Sequence, residues 1–216
     1  MIAIVDYRAG NLASVKRALD YLGADSVITN DASEIAASDR VVFPGVGAAG
    51  EAMRNLDELN LKQILFDVVK QGKPFLGICV GYQLLFARST ENAVECLGLL
   101  KGEVVRFAPD LRDELTGRNL KIPQMGWNRV EFRGDHPLWD GVPKGSEFYF
   151  VHSYYPQPEP CVVCATAHYG VEYACGVLQN NLVAFQFHPE KSGRPGLQLL
   201  KNFCHWTPPK SRPTGC

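Results

Sequence analysis

No stretch of this 216-residue chain stays apolar for the roughly 18 residues that a membrane-spanning helix needs. Its opening residues, MIAIVDY, set no basic segment ahead of an apolar one and read as a strand. Neither a membrane span nor a secretory leader is expected, and the protein is read as cytoplasmic. An excess of charge is missing too: 22 Lys and Arg against 23 Asp and Glu leave a formal net charge of −1. That excludes the electrostatic footprint of a protein that grips nucleic acid or an anionic membrane. There is no internal repeat and no linker-like stretch dividing the chain, so its length suits one large domain. Folding at this size buries roughly 70–75% of the unfolded surface, which makes disulfides or a structural metal unnecessary for stability. A phosphate loop is absent as well, because no G-K-[ST] follows the glycine-rich turns.

Cysteine is present, but not as a framework. The seven residues, Cys79, Cys96, Cys161, Cys164, Cys175, Cys204 and Cys216, are odd in number and irregularly spaced, as suits a reducing compartment. Cys161-Val162-Val163-Cys164 has a zinc-like or redox-like spacing. On a strand, however, residues three apart face opposite sides, and the segment is apolar, so core packing is the better account. No metal and no cofactor are expected.

The first ninety residues alternate strand and helix. Ile2–Val5, Ser26–Thr29, Arg40–Phe43 (closed by Pro44-Gly45) and Pro74–Ile78 read as strands buried on both faces. Asn11 is placed to cap a helix carrying Leu12, Val15, Ala18, Leu19 and Leu22, which Gly23 ends. A second helical region is predicted from about Ala48 to Val69, and Tyr82–Ala87 has helical character. This alternation implies a mostly parallel central sheet with helices on both faces, a three-layer α/β fold whose ligands bind beyond the carboxyl ends of the strands. In the second half Val104–Phe107, Asn128–Phe132, Phe148–Val151, Cys161–Ala165 and Leu182–Phe187 read as strands without long helices between them. That predicts an antiparallel extension, with Asn180-Asn181 as a hairpin turn. A last helix is predicted over Pro195–His205, and the domain over 1–206. The tail Thr207–Cys216, rich in Pro, Lys and Ser, is expected to be disordered.

Chemistry concentrates at three places. Gly77-Ile78-Cys79-Val80-Gly81 has the form G-x-C-x-G between a strand and a helical segment, the cysteine version of a nucleophile elbow. The flanking glycines clear space around a sharp turn. The helix N-terminus favours the thiolate, and the Val80 N–H points toward an oxyanion. In Phe187-His188-Pro189-Glu190, residues i and i+2 of an extended chain face one side, so His188 and Glu190 can meet as base and orienting carboxylate. Pro44-Gly45-Val46-Gly47 ends a strand and can bring a second backbone N–H donor to the same oxyanion. His136 and His205 read as structural or exposed.

These three motifs, taken with Tyr82-Gln83-Leu84-Leu85 and Lys191-Ser192, resemble the class I (triad) glutamine amidotransferases, whose fold is flavodoxin-like. Asp6-Tyr7, Gly10-Asn11, Met125-Gly126-Trp127-Asn128 and Tyr149-Phe150-Val151-His152-Ser153-Tyr154 narrow the likeness to the glutaminase subunits of imidazole glycerol phosphate synthases, in histidine biosynthesis. The resemblance spans Ile2 to Trp206 and implies glutamine as substrate. It implies a Cys79, His188, Glu190 triad, oxyanion donors at Gly47 and Val80, and substrate contacts at Gln83, Ser153 and Tyr154. It further implies a heterodimer with a cyclase (β/α)8-barrel subunit that receives the ammonia, with Trp127, Tyr149 and Lys191 near the interface. Arg8 and Ala49 depart from the family, which often has glycine and a bulkier residue there. Paralogues that feed a barrel partner in amidino-sugar synthesis for surface polysaccharide share these motifs. A stand-alone cysteine hydrolase and a non-catalytic scaffold are the rival classes: the family-specific motifs oppose the first and the intact triad the second.

Overall fold

A computed structural model describes residues 1–114 and 116–209; residues 210–216, most of the tail expected to be disordered, lie outside the described residues. The first half reads β1 (Ile2–Val5), α1 (Leu12–Tyr21), β2 (Ser26–Thr29), α2 (Ala32–Ala37), β3 (Arg40–Gly45), α3 (Ala49–Glu58), α4 (Lys62–Lys70), β4 (Phe75–Cys79) and the one-turn helix α5 (Val80–Gln83). Short strands follow: β5 (Arg88–Ser89), β6 (Val94–Glu95), β7 (Gly102–Arg106), β8 (Gln124–Arg129), β9 (Glu131–Phe132), β10 (Glu147–His152), β11 (Tyr154–Pro158), β12 (Val163–His168), β13 (Glu172–Gln179) and β14 (Leu182–Phe185). Helix α6 (Gly193–His205) ends the described fold.

The central sheet has eight strands in the order β2-β1-β3-β4-β14-β13-β12-β9. Pairing is parallel from β2 through β14 and antiparallel from β13 onward. Strands β1, β4 and β14 are buried at every residue, as continuous apolar runs with helices on both faces should be. Helix α1 turns Val15, Ala18 and Leu19 inward, and α6 turns Gly196, Leu199, Leu200 and Phe203, the i, i+3, i+4 stripe of an amphipathic helix. These two helices pack together, as do α2 and α4. A ribbon of β10 and β8 and a four-stranded sheet, β11-β7-β5-β6, lie outside the central sheet.

Most predicted elements stand, with corrections. The long helix expected from Ala48 to Val69 is two helices, because Asn60 adopts a left-handed conformation (φ 54°) between them. The helical reading of Tyr82–Ala87 holds only to Gln83. Asn128–Phe132 is split between β8, paired with β10, and β9, paired with β12. Cys164 is buried on β12 as expected, but Cys161 precedes the strand in a 3-10 turn and is exposed. The Asn180-Asn181 hairpin forms, with Gln179 opposite Leu182 and Asn180 at φ 55°. Arg8, where the family often has glycine, sits at φ 64° and pairs with Glu58 at 2.5 Å.

Candidate active site

Sheet register brings the nucleophile and base together. Strands β4 and β14 are parallel neighbours with Ile78 opposite Phe185, so both chains leave the sheet at the same level, beyond their carboxyl ends. Cys79 is the last residue of β4 and adopts φ 55°, ψ −111°, a conformation costly for a residue with a side chain and kept where the surroundings enforce it. Gly81 makes the turn possible. A Cβ there would lie 1.8 Å from the Phe43 carbonyl oxygen on β3.

His188 and Glu190 do meet, with Nδ1 donating to Glu190 Oε1 at 2.8 Å and both side chains fully buried. The route differs from the extended one expected. Pro189 fixes its φ and opens a 3-10 turn, Pro189–Lys191, which folds Glu190 back under the ring. Ser192 secures the turn: its hydroxyl donates to the His188 carbonyl at 2.6 Å and accepts from the Tyr149 N–H at 3.0 Å. Gly196 lets α6 press against it, since a Cβ would sit 2.0 Å from the Pro189 carbonyl oxygen. His188 Nε2 is buried and has no hydrogen-bond partner among the described residues. Burial opposes charge on this ring, but Cys79, and after it Glu190, outweigh burial and raise His188 to about 10. Burial pushes the Cys96, Cys164, Cys175 and Cys204 thiols up, which leaves them protonated at neutral pH.

A cavity of about 230 Å³ opens on Cys79, walled by Val46, Gly47, Val80, Gln83, Ser153 and Tyr154. The five residues expected as oxyanion donors and substrate contacts are therefore brought together with the nucleophile. Gln83 donates from Nε2 both to the Tyr154 carbonyl and to Gln186 Oε1, each at 3.0 Å, leaving its own carbonyl for a ligand. His152 also reaches the cavity. Its Nδ1 donates to the Tyr154 carbonyl at 2.8 Å, and burial holds it neutral, at about 4.

Trp127 and Tyr149, on the β8-β10 ribbon, and Lys191, at the end of the Pro189–Lys191 turn, lie elsewhere and form one patch. The Trp127 and Tyr149 rings meet edge-on at 6.2 Å, Lys191 Nζ is 6.0 Å from the Tyr149 centroid, and that ring is 6.5 Å from His188. Trp127 is 56% exposed and its neighbour Met125 65%.

Several residues escaped the sequence reading. Gln186, wholly buried, directs Nε2 at Cys79 Sγ from 3.8 Å; its place two residues before His188 was the available signal. Glu91 enters the cavity wall from a 3-10 turn and accepts the Ala49 N–H at 2.8 Å, so it fastens the start of α3 just after Gly47. Nothing local marks it. Asn11 does precede α1, but its side chain makes no cap; it donates to Glu190 Oε1 at 2.6 Å instead.

An elbow cysteine with a carboxylate-held histidine, on a parallel sheet of this order, is the geometry of a candidate cysteine-triad site. The family model for glutamine amidotransferase class-I matches residues 3–206, and the chain belongs to that family. Within it, the chain is 48% identical over 210 residues to an imidazole glycerol phosphate synthase subunit HisH from Dechloromonas aromatica, covering 96% of this chain and 97% of that one. It is 49% identical over 208 residues to the HisH subunit of Pseudomonas putida, at 95% and 97% coverage. The solved structure of PurLQS from Thermotoga maritima shares the fold, with a TM-score of 0.69 over 94% of this chain and 97% of that one, at 18% identity.

Proposed function

We propose that this chain is the glutaminase subunit of a cytoplasmic imidazole glycerol phosphate synthase. Cys79 thiolate attacks the side-chain amide carbon of glutamine, and the oxyanion that forms is held by the N–H groups of Gly47 and Val80. His188, as imidazolium, gives its proton to the amide nitrogen; the C–N bond breaks and ammonia leaves a γ-glutamyl thioester on Cys79. His188 then takes a proton from water, hydroxide adds to the thioester, and the C–S bond breaks to release glutamate and restore the thiolate. Glu190 holds the imidazole in the tautomer this needs. Gln83, Ser153 and Tyr154 hold the amino-acid end of the substrate, and the free carboxylate oxygen of Glu91 suits its ammonium group.

The observation that carries this reading is the buried, unpartnered Nε2 of His188 beside a strained cysteine, with its other nitrogen held by Glu190. The cavity, about 230 Å³, fits one amino acid better than an extended peptide, which argues against a peptidase. The likeness to HisH subunits at near full length supports a destination for the ammonia. It passes to a (β/α)8 cyclase subunit of the HisF type, which converts the ribulose-phosphate intermediate PRFAR to imidazole glycerol phosphate and AICAR. The exposed Met125, Trp127, Tyr149, Lys191 patch, next to the His188 ring, suits the docking face for that partner.

The test is glutamate release from glutamine by the chain mixed with a histidine-pathway cyclase, with and without PRFAR, and with Cys79→Ala as control. Release that PRFAR stimulates and the variant abolishes is expected. Release by the chain alone at full rate would count against the synthase, and release undiminished in Cys79→Ala would overturn the triad.

A further inference from the structure

Residue Asn11 departs from what its position predicts. It stands immediately before α1, where an Asn side chain ordinarily accepts a hydrogen bond from the first turn of the helix. Here it makes no such bond, and its backbone is left-handed at φ 71°. The amide reaches across to the catalytic turn, where Nδ2 donates to Glu190 Oε1 at 2.6 Å. The same oxygen receives the His188 Nδ1 proton at 2.8 Å. An ionised carboxylate only accepts, so the amide must present its NH2 and not its oxygen. Glu190 Oε2 has no partner among the described residues, and the side chain is fully buried. Asn11 and His188 are thus the two hydrogen-bond donors to that carboxylate among the described residues.

We propose that Asn11 is a positioning residue that acts through Glu190. Two donors converging on one oxygen fix the carboxylate's rotation, so that Oε1 stays under the imidazole. The amide also satisfies a buried carboxylate oxygen with a neutral donor that does not compete for the proton on His188. Rotation of the carboxylate would release the imidazole, and misplacement of a catalytic group by about 1 Å costs on the order of 100-fold in rate. The left-handed turn and the missing helix cap follow from the same demand: this backbone conformation aims the side chain away from α1. The assignment rests on the glutaminase reading above.

The substitution series separates this role from a merely structural one. Aspartate tolerates a left-handed backbone and caps helices as well as asparagine does, whereas glycine accepts the backbone but removes the side chain. If Asn11 served only the turn and α1, Asn11→Asp would be the milder change. If it serves Glu190, Asn11→Asp is the worse, because a second carboxylate against a buried one draws a proton onto the pair. We expect kcat for glutamine hydrolysis, in the complex with the cyclase subunit, to fall about 10-fold or more in Asn11→Gly and further in Asn11→Asp. KM for glutamine should stay within about threefold and both variants should melt cooperatively. In a Glu190→Ala background, Asn11→Gly should change kcat less than about twofold, since its target is gone. An Asn11→Asp variant as active as wild type, or full additivity with Glu190→Ala, overturns the assignment while leaving the glutaminase intact. A wild-type complex that releases no glutamate overturns the functional reading and this assignment with it.

Discussion

Replacing Gly81 with alanine should collapse the elbow by a calculable amount. The added methyl would stand 1.8 Å from the Phe43 carbonyl oxygen and 2.8 Å from its carbon, whereas Cβ contacts do not close below 3.0 Å. The obstacle is backbone on β3, a strand buried over its last five residues, so no rotamer change relieves it. The elbow must move from β3 by at least about 1.2 Å. Gly81 follows Val80 and Cys79 directly, so that movement reaches the nucleophile and the Val80 N–H together. A displacement of this size costs about 100-fold in rate, and overpacking of this kind costs about 3 kcal/mol of stability. Gly77 is the matched control. A Cβ there meets Ala184 Cβ at 2.9 Å, Leu85 Cδ1 at 3.1 Å and the Gly81 carbonyl oxygen at 3.2 Å, an overlap of tenths of an ångström and not of more than one. Glutamate release and urea denaturation of both variants are the assays. The reasoning is refuted if Gly81→Ala keeps more than about a tenth of wild-type kcat, or if Gly77→Ala proves the more damaging.

Other outcomes follow from the same geometry. His188 has its folded pKa raised to about 10 from 6.5, so it binds its proton more tightly folded than unfolded. The stability this gives is complete below about pH 6.5 and is lost as pH rises toward 10. Urea midpoints should therefore fall between pH 7 and 10, and fall less in Cys79→Ala, which removes the largest favourable cause; parallel curves would refute the coupling. Glu91→Gln should raise KM for glutamine about 10-fold through the lost ammonium contact, with unchanged KM in steady-state kinetics the contrary result. Trp127→Ala should weaken cyclase binding at least 10-fold by calorimetry while leaving the chain's own melting nearly unchanged, because the side chain is mostly exposed.

The meeting of Cys79, His188 and Glu190 was legible because the three residues lie in short segments whose shapes depend on local rules. A strand, a sharp turn and two glycines predict an elbow at Cys79 wherever the strand lies. What the sequence did not carry was the route by which distant pieces converge. His188 and Glu190 were read as strand neighbours, yet it is Pro189, by opening a 3-10 turn, that joins them. Leu84, Leu85 and Phe86 looked like helix, but each is fully buried. Their apolar character reports burial on all sides and not one helical face, and two 3-10-type bonds, Leu85 N–H to Tyr82 and Phe86 N–H to Gln83, lead the chain out of α5. The parallel sheet followed from strand–helix alternation. The placement of Asn11 and Glu91 did not, because each touches the site across a distance in sequence that no pattern encodes.

The same segments reveal where the fold gives up stability for chemistry. Native proteins leave few buried polar atoms unpaired. Among the described residues four side-chain atoms are so left: Tyr7 OH, Ser26 Oγ, His188 Nε2 and Glu190 Oε2. Three of the four belong to the neighbourhood of Cys79. Two belong to His188 and Glu190, and Tyr7, whose phenol is pushed up by burial and then by Cys79, lies where a Cβ on Gly45, beside the elbow, would strike its hydroxyl at 1.9 Å. The strained backbone of Cys79 and the uncapped, left-handed Asn11 fall in the same place. Defects scattered at random would mark a poorly specified core. Defects gathered around one cysteine mark groups held ready for atoms that arrive only with the substrate, and a wall of buried β-strands on either side is what keeps them from relaxing.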